Sequence, residues 1–225
     1  MDSNELNRSR CQKQQTELHE VLSSQKPNEV AIQLFLRQHA GLHSAAMSQS
    51  AGWSFEDWIL DDLTPEQAGC IPPGCEHSIA WLVWHVTRCE DITMNLLVAG
   101  SPQVLIQDNW LEKLGVAVRD TGNTMDLPEI VAFSSAIDFK ALRAYRMAVG
   151  RRTQKIASQL GLEELKQKVD PARLKLVVDQ GAVLPAAHDI VDFWGKRTVA
   201  GLLLMPASRH IITHWNEALK IKGKL

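Results

Sequence analysis

The sequence predicts an all-α protein, a four-helix bundle with extra short helices, and three observations lead there. Apolar residues recur at spacings of three and four along most of the chain, the period of a helix with one buried face, while strict alternation is scarce. Four such stretches are long, near 28–49, 76–98, 127–160 and 198–221, which is the count a bundle needs. No repeat, low-complexity tract or long linker divides the 225 residues. The chain is therefore read as one domain over 1–225, with 1–26 as an N-terminal helical extension.

Taken in order, a polar amphipathic helix is expected over 4–24, ending before Pro27 because the residue preceding a proline is pushed out of the helical region. The next, 28–49, sets Ile32, Leu36, His39, His43 and Met47 on one stripe, and Ser50-Ala51-Gly52 breaks it. A loop with short turns follows through Asp61, Asp62 and Pro65 to Gly74. Residues 76–98 are apolar nearly all round the helix, hence buried on several sides, and stop at Gly100-Ser101-Pro102. A short helix fits 102–115. The longest, 127–160, opens with Asp126 as cap and Pro128 in its first turn, and closes at Gly161. Shorter pieces fit 162–178 and 186–194. The last element runs from Thr198 to Ile221, kinked or restarted at Pro206.

Composition removes several function classes. Hydrophobic residues make up 45% and charged ones 22%, ordinary for a soluble globular protein. A formal charge of −2 offers no global basic field for a nucleic-acid backbone. The pairs and clusters that exist, Arg151-Arg152 and Lys220, Lys222 and Lys224, read as solvated helix faces. No stretch is long and apolar enough to span a membrane, and the polar opening MDSNELNRSRCQKQQ has no apolar leader core. Four cysteines (Cys11, Cys70, Cys75 and Cys89) do not make a disulfide framework, so a reducing cytoplasm is the expected location.

The chemistry concentrates in histidines. His210 and His214 stand four apart, and a helix turning about 100° per residue aims both the same way. They share a stripe with Ala207, Ile211, Ala218 and Ile221, the face expected to meet the core. Chance placement of eight histidines produces roughly 0.3 such pairs, so the spacing alone is modest evidence. Two stacked buried imidazoles are nonetheless hard to satisfy without a shared partner, and a divalent metal is one. His85 lies among Trp81, Leu82, Val83, Trp84 and Val86, where it is either a core histidine bonded to a carbonyl or carboxylate or the third ligand. The second pair, His39 and His43, reads first as helix histidines near the rim, next as pocket lining, and also as partners of metal ligands.

The segments SIAWLVWHVTRCED and GLLLMPASRHIITHWNEALKI resemble the DinB-like metal-binding four-helix-bundle proteins, a superfamily that includes thiol-dependent S-transferases and isomerases. The resemblance covers the chain from about residue 28 to the end; the N-terminal helix and the stretch near 162–195 lie outside the common pattern. It implies a metal triad of His85, His210 and His214 holding a divalent ion, zinc or nickel, with solvent at its open positions. It further implies activation of a low-molecular-weight thiol beside a small-molecule substrate. A homodimer is compatible with the resemblance, but no interface stripe stands out.

Neighbouring polar residues each have two readings. Glu217, one turn beyond His214, either orients a ligand histidine or shuttles protons, or else pairs with Lys220 at the surface. Arg88 is either a structural ion pair, the preferred reading, or a holder for the carboxylate of a thiol cofactor. Cys89 is a small buried hydrophobe before it is a ligand or nucleophile. Trp81, Trp84, Trp194 and Trp215 fall on expected core faces, whereas Trp53 and Trp58 are candidates for a pocket mouth. The acidic group Glu56, Asp57, Asp61 and Asp62 lacks calcium-loop spacing and reads as a solvated loop. Two function classes remain: a metal-dependent enzyme activating a thiol or water, and a non-catalytic metal-binding or interaction bundle.

Overall fold

The computed structural model describes residues 2–24, 30–48 and 52–225, and among them the one β pairing is an isolated antiparallel bridge between Lys168 and Thr198. In chain order come α1 (Ser3–Ser23), α2 (Val30–Leu42), the short α3 (Ala45–Ser48), α4 (Phe55–Leu60) and α5 (Pro65–Gly69), then α6 (Ile79–Asp91). After it lie α7 (Val104–Gln107), α8 (Trp110–Leu114), α9 (Leu127–Ala136), α10 (Phe139–Ser158), α11 (Leu162–Lys166) and α12 (Pro171–Asp179). The chain finishes with α13 (His188–Gly195), α14 (Val199–Leu204) and α15 (His210–Lys222). The fold is all-α. No described helix is long and apolar enough to cross a membrane.

Helix α6 is the centre. Ser78 caps it by accepting the Trp81 N–H, and every residue of the helix is buried, as its unbroken apolar circumference demands. It packs against α10 on one side and α15 on the other; α2 touches α10 and the segment leading into α15, which closes a ring of four. α1 lies across α2 and α14. Trp84 and Trp215 are fully buried in this core, and a buried large apolar side chain contributes about 1.5–3 kcal/mol.

Two wide π-helical segments interrupt the main helices. Ile92–Ala99 extends α6 to Gly100, whose φ of 63° suits glycine. Met205–Arg209 separates α14 from α15 at Pro206, which has no N–H to donate, so carbonyls of the preceding turn need other partners. Ser208 Oγ adds a local hydrogen bond there, donating to Leu203 O at 2.9 Å or Leu204 O at 2.8 Å. The interruption expected at Pro206 is thus real, and it delivers His210 at the first position of α15.

Several boundaries differ from expectation. The 127–160 helix is two, because the Asp138 carboxylate accepts the Ala141 N–H and caps a fresh start. Gly161 flanks α11 rather than closing that helix. The stretch 28–49 breaks after Leu42 and resumes as α3; residues 28, 29 and 49–51 lie outside the described residues. The expected 102–115 helix divides at Asn109, with φ 53°, and 162–178 divides where the backbone of Gln167 and Val169 bonds the 197–199 segment.

Candidate metal centre

The packing of α6 against α15 brings His85 to His210 and His214. His85 Nε2 and His214 Nε2 each lie 3.2 Å from His210 Nε2, with ring centroids 4.6–5.0 Å apart. What fixes these rings decides their chemistry. The Thr121 carbonyl can only accept, so at 2.8 Å it takes the His85 Nδ1–H and leaves a lone pair on Nε2. Glu217 Oε2 does the same for His214 Nδ1 at 3.0 Å. Two lone pairs therefore point at His210 Nε2, which has one proton at most, while His210 Nδ1 is buried without a partner. Three convergent imidazole nitrogens that cannot satisfy one another are what a cation would satisfy.

Electrostatics agree. Burial, helped by the neighbouring His214, pushes His85 down to about 3, and burial with its two histidine neighbours takes His210 well below the usual imidazole range. Both are neutral at pH 7, the form that ligates. Burial alone would raise the Glu217 carboxyl, but hydrogen bonds from His214 and His77 outweigh it and bring it down to about 2.

The Thr121 carbonyl reaches His85 because α6 itself pins the loop. Arg88 Nε donates to Arg119 O at 2.9 Å, Trp84 Nε1 to Asp120 O at 3.1 Å, and His85 binds the next carbonyl. Gly122, at φ 78°, lets Trp81 approach: an added Cβ would stand 2.9 Å from its Nε1. Arg88 also donates to Asp91 and Tyr145 and is fully buried, so its contacts are those of the structural reading, and it does not line the cavity.

A cavity of about 240 Å³ opens on His85 and His210, walled by Ile190, Phe193, Trp194, Met205 and Pro206, with Cys89, Asn123 and Asp189 as its other polar groups. A larger groove of about 640 Å³ shares Phe193 and Met205 with it but touches none of the three histidines, so the smaller cavity is the relevant one. Cys89 Sγ is 4.0 Å from His85 Nε2, and burial pushes its thiol up to about 12. The donor atoms of His85, Cys89 and His210 lie within 4.8 Å of one another.

Other expectations need correction. His43 is neither at a rim nor in the pocket: it and His39 are fully buried and donate Nε2–H to the two oxygens of Glu90, at 3.0 and 2.7 Å. These three could also hold a metal; two imidazole–carboxylate hydrogen bonds satisfy their Nε2 atoms and Glu90, and both Nδ1 atoms are buried without a partner. Glu217 pairs with His214 and with His77, whose Nδ1 is 2.7 Å away, not with Lys220. Sequence reasoning missed His77; the signal available was its place four residues before Trp81, on which it stacks, Trp81 stacking in turn on His85. Trp53 and Trp58 pack with Phe55 away from the cavity. Glu56 is buried against Arg146 Nε at 2.6 Å instead of solvated.

Comparison with known proteins follows the same line. The sequence matches the DinB superfamily over residues 56–218. A crystal structure described as the conserved protein of locus from Enterococcus faecalis aligns with a TM-score of 0.58 at 18% identity, covering 84% of this chain and 94% of that one, a likeness of fold alone. No curated protein matches. With 56–218 spanning α4 to α15 and both histidine-bearing helices inside it, the chain belongs to the DinB superfamily.

Proposed function

We propose that this protein binds a divalent cation, zinc or nickel, through His85, His210 and His214, and acts as an S-transferase-like enzyme joining a low-molecular-weight thiol, or water, to a small electrophile. The observation that carries the reading is the approach of His85 Nε2 and His214 Nε2 to His210 Nε2, each at 3.2 Å, with the outer two rings locked in the ligating tautomer by Thr121 and Glu217. When bound, such a cation lowers the pKa of a thiol or water that it coordinates.

The chain's own groups do the rest. Thr121 O and Glu217 hold the His85 and His214 imidazoles in register, and the His77–Trp81–His85 stack further keeps the His85 ring from tilting. Glu217 is engaged by two imidazoles, so orienting them, rather than shuttling protons, is its role. Phe193, Trp194 and Ile190 give the electrophile an apolar seat, and α13, which carries them, sets substrate size.

Metal analysis of purified wild-type, His85→Ala and His214→Ala proteins tests the premise. Stoichiometric metal in the wild type and its loss in both variants is expected. A metal-free wild type whose melting temperature ignores added Zn²⁺ and Ni²⁺ overturns it. Turnover of monobromobimane with a panel of thiols then tests the chemistry; absence of turnover by the metal-loaded protein favours the non-catalytic bundle.

A further inference from the structure

We infer that the groove of about 640 Å³ beside the metal cavity seats an oxyanion of the substrate, a carboxylate or phosphate group, held by Arg197 and Arg209. This rests on the triad reading and names the class of electrophile the site takes, one with an apolar reacting end and an anionic tail.

The lining of the groove is one-sided in charge. Lys166, Arg197 and Arg209 line it together with the His19 imidazole, and no carboxylate does, although the chain as a whole carries a formal charge of −2. Lys166 has a counter-ion in Glu163, at 2.7 Å. The arginines have none. Among the described residues their guanidinium groups form no hydrogen bond and no ion pair. Arg197 rests on the Phe193 ring at 4.0 Å, a contact with the face of the guanidinium that leaves its N–H donors free. Those donors form a planar fork that matches the oxygens of a carboxylate or phosphate.

Position ties this charge to the metal centre. Phe193 and Met205 line both the groove and the smaller cavity, and Arg209 directly precedes His210. A substrate lying across Phe193 and Met205 therefore places its tail in the groove and its other end beside His85 and His210. Asp189 sets that direction. It lines the smaller cavity one helical turn before Phe193 and is absent from the groove, so an anionic tail is repelled at one end and attracted at the other. Helix α1 supplies part of the groove wall through His19, Leu22 and Ser23, and it lies outside the matched residues 56–218.

Three matched probes, 4-nitrobenzoate, 4-nitrophenylphosphonate and the neutral 4-nitrobenzamide, test this by quenching of tryptophan fluorescence in the full chain. At least one anion should bind about tenfold or more tighter than the amide, as charge-assisted pairing with arginine implies, and the tighter anion tells carboxylate from phosphate. The preference should weaken as salt is raised. It should also persist after chelation, which separates the arginines from direct ligation of the anion by the metal. Both arginines are solvent-exposed, so Arg197→Gln/Arg209→Gln spares the core. That variant should lose the preference and keep the wild-type affinity for the amide. Equal affinity for all three probes in a wild type that holds its metal overturns this inference and leaves the triad standing. A preference that survives in the double variant overturns it too. A wild type that binds no metal overturns the triad and, with it, the role of the groove as a substrate seat.

Discussion

Glu217 accepts one hydrogen bond from His214 on its own helix and one from His77 just ahead of α6, so a single carboxylate ties the two ends of the site. Glutamine has one acceptor where the carboxylate has two, and its amide can donate, which admits the wrong tautomer of His214. Glu217→Gln should therefore lower metal affinity by roughly 10–100-fold with the fold intact. Isothermal titration beside circular dichroism checks this, and unchanged affinity would remove Glu217 from the site. His43 makes a second residue-scale prediction. Burial and then the nearby Arg146 hold it down to about 3, while an unfolded imidazole titrates near 6.5. Between those values the unfolded chain binds a proton that the folded chain refuses. Stability should thus be full at neutral pH and fall on acidification, by about 1.4 kcal/mol per pH unit for this one histidine. Urea midpoints of the metal-free protein from neutral to acid pH measure it, and a flat profile contradicts it.

Helices α2 and α10 each contain a glycine, and the two should respond to alanine with opposite signs. At Gly41 nothing lies within 4 Å of an added Cβ, so Gly41→Ala should stabilise by up to about 1 kcal/mol through helix propensity and a less flexible unfolded chain. At Gly150 an added Cβ would stand 2.6 Å from His43 Nδ1 and 3.2 Å from Met47 Cγ. The His43 ring cannot retreat because Glu90 holds it, so overpacking of about 1–3 kcal/mol outweighs the propensity gain and Gly150→Ala should destabilise. Denaturant midpoints that move in the same direction for both would refute this account of the α10 contact. Element boundaries show what local sequence can and cannot say. Pro206 and the Asp126 cap act on their own turn and were legible, whereas the Asp138 restart hides inside a continuous apolar period because its capping bond is invisible to periodicity.

At the scale of the molecule, Arg146 of α10 joins three other parts of the core. It binds Glu56 of α4 at 2.6 Å and the Leu42 carbonyl at the end of α2, and approaches Glu90 of α6 at 3.9 Å. Removing it leaves two buried carboxylates without their cation. Arg146→Met should cost about 3–5 kcal/mol, and adding Glu56→Gln should recover part of that. Urea denaturation of the single and double variants measures both, and an additive double variant would deny the coupling. Metal binding should act on the whole fold as well, because the triad joins α6 to α15. A ligand at a hundred times its dissociation constant adds about 2.7 kcal/mol. The melting temperature should rise with added Zn²⁺ or Ni²⁺ and return with chelator, and the His214→Ala protein should not respond.

The sequence by itself determined the all-α class, the helices that carry the site, and the three histidines as one candidate set. These follow from period and spacing, which report the face of a helix without reference to anything distant. Only the tertiary structure decided the partners. Thr121 and His77 come from segments whose position depends on how loops pack along α6, and α13, which walls the cavity, carries no mark in its own sequence of facing His85. His39 and His43 looked equivalent to His210 and His214 by spacing. Packing put Glu90 opposite one pair and a third imidazole opposite the other. A carboxylate accepts both protons offered to it, whereas three converging imidazole nitrogens have one proton at most between them, which leaves a lone pair for a cation to take.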